Sequence, residues 1–224
     1  MTQSSTRLPF GIQTLRSFIL VSVLVLGTAL NAAAAFAGDQ AAEQFAQNLI
    51  DRGLGILRDN SGGDVARKSR FHDFVVQNVD SQKTALFTLG QYRRGASAEA
   101  VEPFVNAFRE YATAVYEARL EERKALPLKV VGSVENKPGD VTVNTEAKDP
   151  NASEPARIAL RLLGSSGSYK VVDVQAAGIW LSIEQRDQFA TFLSKHNGDI
   201  KALTADLIEQ TKRIRSGGRS PDTN

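Results

Sequence analysis

The chain has 224 residues, 42% of them hydrophobic and 23% charged, which is the composition of an ordinary globular protein of one or at most two domains. Its 27 basic and 25 acidic residues leave a formal charge of +2, but Arg7 and Arg16 are the only charged residues in 1–37, so residues 38–224 hold 25 of each sign and are neutral. The pI near 8.9 is therefore no argument for a nucleic-acid partner, and the lack of cysteine excludes disulfides, Cys-ligated zinc, thiol catalysis and Cys-linked lipid anchors.

The chain opens with a polar stretch bearing two arginines, then an apolar run of 13 residues from Phe18 to Leu30, then small residues ending in Ala35-Phe36-Ala37. That order is expected of a secretory signal peptide over residues 1–37, cleaved after Ala37; the alternative is an uncleaved membrane anchor, for which the apolar run is short against a hydrocarbon core of about 30 Å. Helical periodicity follows in 39–59, where Ala42, Phe45, Ala46, Leu49, Ile50, Leu54 and Leu57 share a face. Residues 64–90 read as two shorter helices that break near Asp80-Ser81 and stop at Gly90. Residues 97–123 give the clearest helix, with Val101, Phe104, Val105, Phe108, Tyr111, Ala112 and Val115 advancing by threes and fours behind a Ser97 cap.

From Leu126 to Gly178 the period becomes two. Leu128, Val130 and Val134 form one apolar row, Val141, Val143 and Thr145 a second, Ile158, Leu160 and Leu162 a third, and Lys170–Val174 a fourth run. Pro138-Gly139-Asp140 and Gly164–Gly167 are hairpin turns, so the expectation is a four-stranded antiparallel meander. Helices over 182–196 and 199–214 close the chain, the first ending at Asn197-Gly198 and the second opening on Asp199. Strands grouped between helices define an α+β fold. The domain is placed at 38–211, and 212–224 is expected to be a flexible basic tail of charge +3 that leaves the body at −3.

The residues offer little catalytic chemistry. The two histidines, His72 and His196, read as surface or capping residues. Gly164-Ser165-Ser166-Gly167-Ser168 is not a nucleophile elbow, and Gly53-x-Gly55 lacks the third glycine of a nucleotide loop. Asp173 stands out because it interrupts an apolar strand; it reads first as a structural hydrogen-bond acceptor. No catalytic residue, metal site or cofactor is expected. The positive signal is apolar: eight phenylalanines lie in residues 38–224, most of them on helix stripes. Such stripes are either plain core or the lining of a dry gap that binds hydrocarbon.

Two stretches narrow the choice. Leu89-Gly90-Gln91-Tyr92-Arg93-Arg94-Gly95-Ala96-Ser97, followed by Phe104 and Phe108, and Tyr169-Lys170-Val171-Val172-Asp173-Val174, followed by Gly178-Ile179 and Gln185–Phe189, together resemble the MlaC family, the toluene-tolerance auxiliary component of ABC transport systems. The resemblance runs from about Asp39 to Ile208. The chain departs from the family's usual pattern at Arg93, Ile179-Trp180 and Gln185, and the last two point toward a branch associated with hopanoid-producing bacteria.

The resemblance implies a periplasmic, non-enzymatic carrier with an apolar lipid cavity between sheet and helices. It would move a membrane lipid, phospholipid or hopanoid, between an inner-membrane transporter complex and an outer-membrane complex, and act as a monomer without nucleic acid. Burial of a CH₂ group contributes about 0.8 kcal/mol, so two long acyl chains are held from water by on the order of 20 kcal/mol, and lipid crosses an aqueous compartment only inside a carrier. The expected lipid-binding residues are Phe74, Leu86, Leu89, Phe104, Phe108, Tyr111, Val130, Ile158, Leu160, Val172, Val174, Trp180, Phe189 and Phe192, with Arg94 at the head group or, equally, as a structural partner of Asp173. The competing reading is an exported adaptor or assembly module that binds a protein and no lipid; a small α+β enzyme is a third.

Overall fold

The computed structural model describes residues 38–122, 127–148, 153–165 and 168–217. The expected signal peptide and the end of the expected tail lie outside these residues. Helix α1 spans Gln40–Arg58 and starts where the Asp39 carboxylate accepts a hydrogen bond from the Ala42 amide at 2.9 Å. The other oxygen of Asp39 accepts from the Tyr169 hydroxyl at 2.7 Å, which pins the start of α1 to the sheet. Helices α2 (Gly63–Asn78) and α3 (Ser81–Thr88) break at Val79-Asp80, where Asp80 caps α3 through the Lys83 amide. A single 3₁₀ turn, Gly90–Arg93, leads to α4 (Ala98–Glu122).

The strands are β1 (Leu128–Lys137), β2 (Asp140–Ala147), β3 (Ala156–Ser165), β4 (Ser168–Ala176) and β5 (Ile179–Trp180), antiparallel in the order β1-β2-β3-β4-β5. The expected meander is present with one strand more. Ala177 and Gly178 both take positive φ, 50° and 81°, the signature of a two-residue hairpin turn, and it folds Ile179-Trp180 back onto Gln175-Ala176. Gly164 closes the β3 end: a Cβ there would stand 2.1 Å from the Ser168 carbonyl oxygen. Helices α5 (Leu181–Lys195) and α6 (Ile200–Arg215) follow.

Two further expectations change. Val134 does not join the inner row of β1, because the register slips between Val130 and Gly132; Ser133 then faces Val143 and Val134 is 56% exposed. The folded body also passes residue 211: α6 continues to Arg215, Ile214 is buried, and Arg215 bonds Glu110 of α4 at 2.7 Å.

The apolar interior forms two clusters. In the first, α3, α4, α5 and α6 pack on one another through Leu89, Phe104, Phe108, Phe189, Leu193, Leu203 and Leu207. In the second, α1 covers the sheet, with Ala42, Ala46 and Leu49 against Val141, Val143, Leu162 and Val171. Phe45 and Phe74 sit at its margin.

Candidate functional site

A cavity of about 100 Å³ opens along the seam between these two clusters. The sheet contributes Val171, Val172, Asp173 and Val174 of β4. Opposite stands α4, whose flank supplies Phe108, Arg109, Tyr111, Ala112, Val115 and Tyr116. Val75 and Val79 close the α2 end, Ser81 and Thr84 come from α3, and α5 adds Leu181, Ser182, Glu184, Gln185 and Gln188.

A β-bulge shapes the sheet wall. Arg161 faces Asp173 and Leu162 faces Val171, so Val172 is the extra residue on β4, and the strand bends there. Thr84 fastens this bend by donating its hydroxyl to the Val172 carbonyl at 2.8 Å. Asp173 Oδ1 accepts from the amides of Val174 at 2.9 Å and Ser182 at 3.1 Å, while Oδ2 accepts from the Ser182 hydroxyl. Asp173 thereby caps α5 from the neighbouring strand, since Trp180, at the N-cap position, makes no side-chain cap bond. Its structural reading as a hydrogen-bond acceptor is the one the geometry gives.

At the outer side of α4, Glu110 accepts from His72 Nε2 of α2 at 2.9 Å and from Arg215 of α6 at 2.7 Å. The bond to Glu110 holds the His72 imidazole above its ordinary pKa, although burial opposes this. Burial alone would raise Glu110, but the bonds from His72 and Arg215 outweigh it and leave the carboxyl below its ordinary value. His196 ends α5, with Nδ1 bonded to the Phe192 carbonyl at 2.8 Å and its ring stacked on Phe192 at 4.0 Å.

Of the residues expected to bind lipid, Phe108, Tyr111, Val172 and Val174 come together in this cavity. Leu89, Phe104 and Phe189 are buried in the helix cluster, with Leu86 and Phe192 packed against it. Phe74, Val130 and Leu160 pack on the sheet cluster, and Ile158 and Trp180 are half-buried. Arg94 is exposed and lines a separate surface hollow with Tyr92, Gly198, Asp199 and Lys201; Asp173 is not its partner. Arg109, Ser81, Ser182, Gln185 and Gln188 were not expected in the wall. The bulge that turns β4 has no signature in the sequence, although Gln185 and Gln188 fall inside the second motif.

Chemically, the wall is apolar with a few polar groups at intervals. Among the described residues no group of three His, Asp or Glu side chains is placed to hold a metal ion, and no helix is long and apolar enough to cross a membrane. The sequence matches the family described as MlaC protein over residues 47–209, and the chain belongs to that family. All twenty residues lining the cavity fall in the matched span. No curated protein matches the chain. Among solved structures, it is similar to the phospholipid-binding protein from Ralstonia solanacearum in complex with a phospholipid, with a TM-score of 0.64, 22% identity, and coverage of 78% of this chain and 98% of that one.

Proposed function

We propose that this protein is a periplasmic lipid carrier: it takes a membrane lipid into the seam between β4 and the helices and carries it between membranes as the soluble part of an ABC-type transport system. The observation that carries this reading is that the family match spans the whole cavity wall. The phospholipid held by the Ralstonia protein of similar fold supports it. The ligand is a phospholipid or a hopanoid, and the docking partners are an inner-membrane transporter complex and an outer-membrane complex. Residues 1–37 export the chain, and no catalytic step is involved.

Carriage sets two physical requirements. The pocket must offer acyl chains roughly what a membrane offers, so that loading and release stay near balance. It must also enlarge, because pockets that bury drug-sized ligands measure about 300–1,000 Å³ and the seam holds about 100 Å³. Phe108, Tyr111, Val172 and Val174 are the first walls the chains meet as it opens; the remaining residues of the expected set enter only if the seam parts further.

Native mass spectrometry of the protein, purified from its host without detergent, tests the reading. Copurified lipid, released on denaturation and identified by fragmentation, is the expected result. A protein that is lipid-free and takes up none from vesicles, while forming a stable complex with another exported protein, overturns it in favour of the adaptor.

A further inference from the structure

Arg109 is the only Lys or Arg among the residues lining the cavity. It is half-buried, between Phe108 and Tyr111 on the α4 flank. Its Nε donates to the hydroxyl of Ser81, itself buried, at 3.1 Å. No carboxylate among the described residues forms an ion pair with it. The nearby acids are committed elsewhere or stand free: Glu110 to His72 and Arg215, Asp173 to Ser182 and the Val174 amide, and Glu184 exposed on α5. The two terminal nitrogens of the Arg109 fork therefore have no protein acceptor in the wall.

From this we infer that Arg109 is a phosphate-recognising residue, and that the cavity selects lipids bearing a phosphate over uncharged lipids, including uncharged polycyclic alcohols. The inference rests on the carrier reading above and decides between the two ligands it leaves open. Filling the seam with hydrocarbon removes water from Arg109, and a desolvated cation without a counter-ion opposes binding. A lipid that brings its own anion removes that penalty. A phosphate diester also matches the planar guanidinium, which makes two parallel charge-assisted hydrogen bonds to it. Ser81 holds Nε and so orients the fork, leaving the far edge for the ligand.

The test uses delipidated full-length mature protein and displacement of an uncharged hydrophobic dye. Dioleoylphosphatidylglycerol, dioleoylglycerol and inorganic phosphate are the probes. Wild type should prefer the phospholipid by about tenfold, the scale of a charge-assisted hydrogen-bond pair. Arg109→Gln should erase the preference by weakening phospholipid binding and strengthening dioleoylglycerol binding, since no cation is left to desolvate. Ser81→Ala, which removes the internal bond and keeps the charge, should retain most of the preference. A measurement without any variant supplements this: the Arg109 ¹⁵Nε resonance should move on adding the phospholipid and stay on adding dioleoylglycerol. A preference that survives in Arg109→Gln, an equal loss for both lipids, or an unmoved resonance overturns the inference and assigns Arg109 a structural role. Competition by inorganic phosphate alone overturns it too, marking a free-anion site. Wild type that binds neither lipid defeats the carrier reading itself.

Discussion

Asp140 shows how one side chain fixes the sheet. Its residue is only 1% exposed, yet it is charged. Oδ1 accepts from Arg161 Nε at 2.9 Å and Asn136 Nδ2 at 3.1 Å, and Oδ2 accepts from Arg161 Nη2 at 2.7 Å. The bond from Arg161, outweighing burial, holds the carboxyl below its ordinary value of 3.8. A carboxyl with a depressed folded pKa contributes stability above its unfolded pKa, and that contribution is lost as pH falls through the folded value. Asp140→Asn should therefore lower stability at pH 7 by about 1–3 kcal/mol; this is less than for a fully buried pair, because Arg161 can turn to solvent. In urea titrations the gap between variant and wild type should close below pH 3.8; a gap constant with pH would refute the account. His72 gives the opposite sign. Its folded pKa lies above the ordinary 6.5, so the tie from α2 to Glu110 is complete below 6.5 and fades as pH rises through the raised value. His72→Gln should cost less than about 1 kcal/mol, and the difference from wild type should be larger at pH 6 than at pH 9 in the same titrations.

At the scale of elements, the helices were legible and the site was only partly so. Apolar stripes placed α1 to α6 to within a few residues, because the centre of each stripe is buried, although Phe87, Ile183 and Ile208 at stripe edges are exposed. Phe104 and Phe189 lie at stripe centres and meet at 5.8 Å inside the helix cluster. On α4 the cavity takes only the later part of the stripe, Phe108, Tyr111, Ala112 and Val115, and adds Arg109 and Tyr116 from beside it. A stripe identifies the buried face but does not say where two buried faces fail to meet. Likewise the outward turn of Val134 depends on a register slip that alternation cannot reveal, and β5 depends on the two-residue turn Ala177-Gly178. Asp173 interrupts an apolar strand in the sequence, and the structure gives it a specific role: it is the cap that α5 lacks in its own sequence. Asp173→Ala removes that acceptor and strands the buried Ser182 hydroxyl. The loss should be about 1–2 kcal/mol, with faster amide exchange concentrated in residues 180–188. Exchange rising evenly over the whole chain would mean that Asp173 supports the sheet and not α5.

At the scale of the molecule, the division of the interior into two apolar clusters gives the proposed carrier a place to open. A single core packed at crystal-like density resists expansion, and parting it would expose side chains from the middle of the fold. Here the helix cluster and the sheet cluster are each closed on themselves, and the cavity follows their boundary. Among the described residues the fastenings across it include the Asp80 amide donating to the Val171 carbonyl at 2.9 Å, the Thr84–Val172 bond, the His72–Glu110 bond from α2 to α4, and Asp173 at the start of α5. In the proposed carrier, widening the seam moves the clusters apart without dissolving either, so the work of admitting a lipid falls on these links. Hydrogen exchange of lipid-loaded and delipidated protein should differ most at 79–84, 171–174 and 181–188, where loading immobilises the walls. Protection in β2 and in α6, at the hearts of the two clusters, should be nearly equal in both forms. If delipidation instead raised exchange in β2 and α6 as much as along the seam, the ligand would be part of a common core, and opening would require that core to loosen as one body.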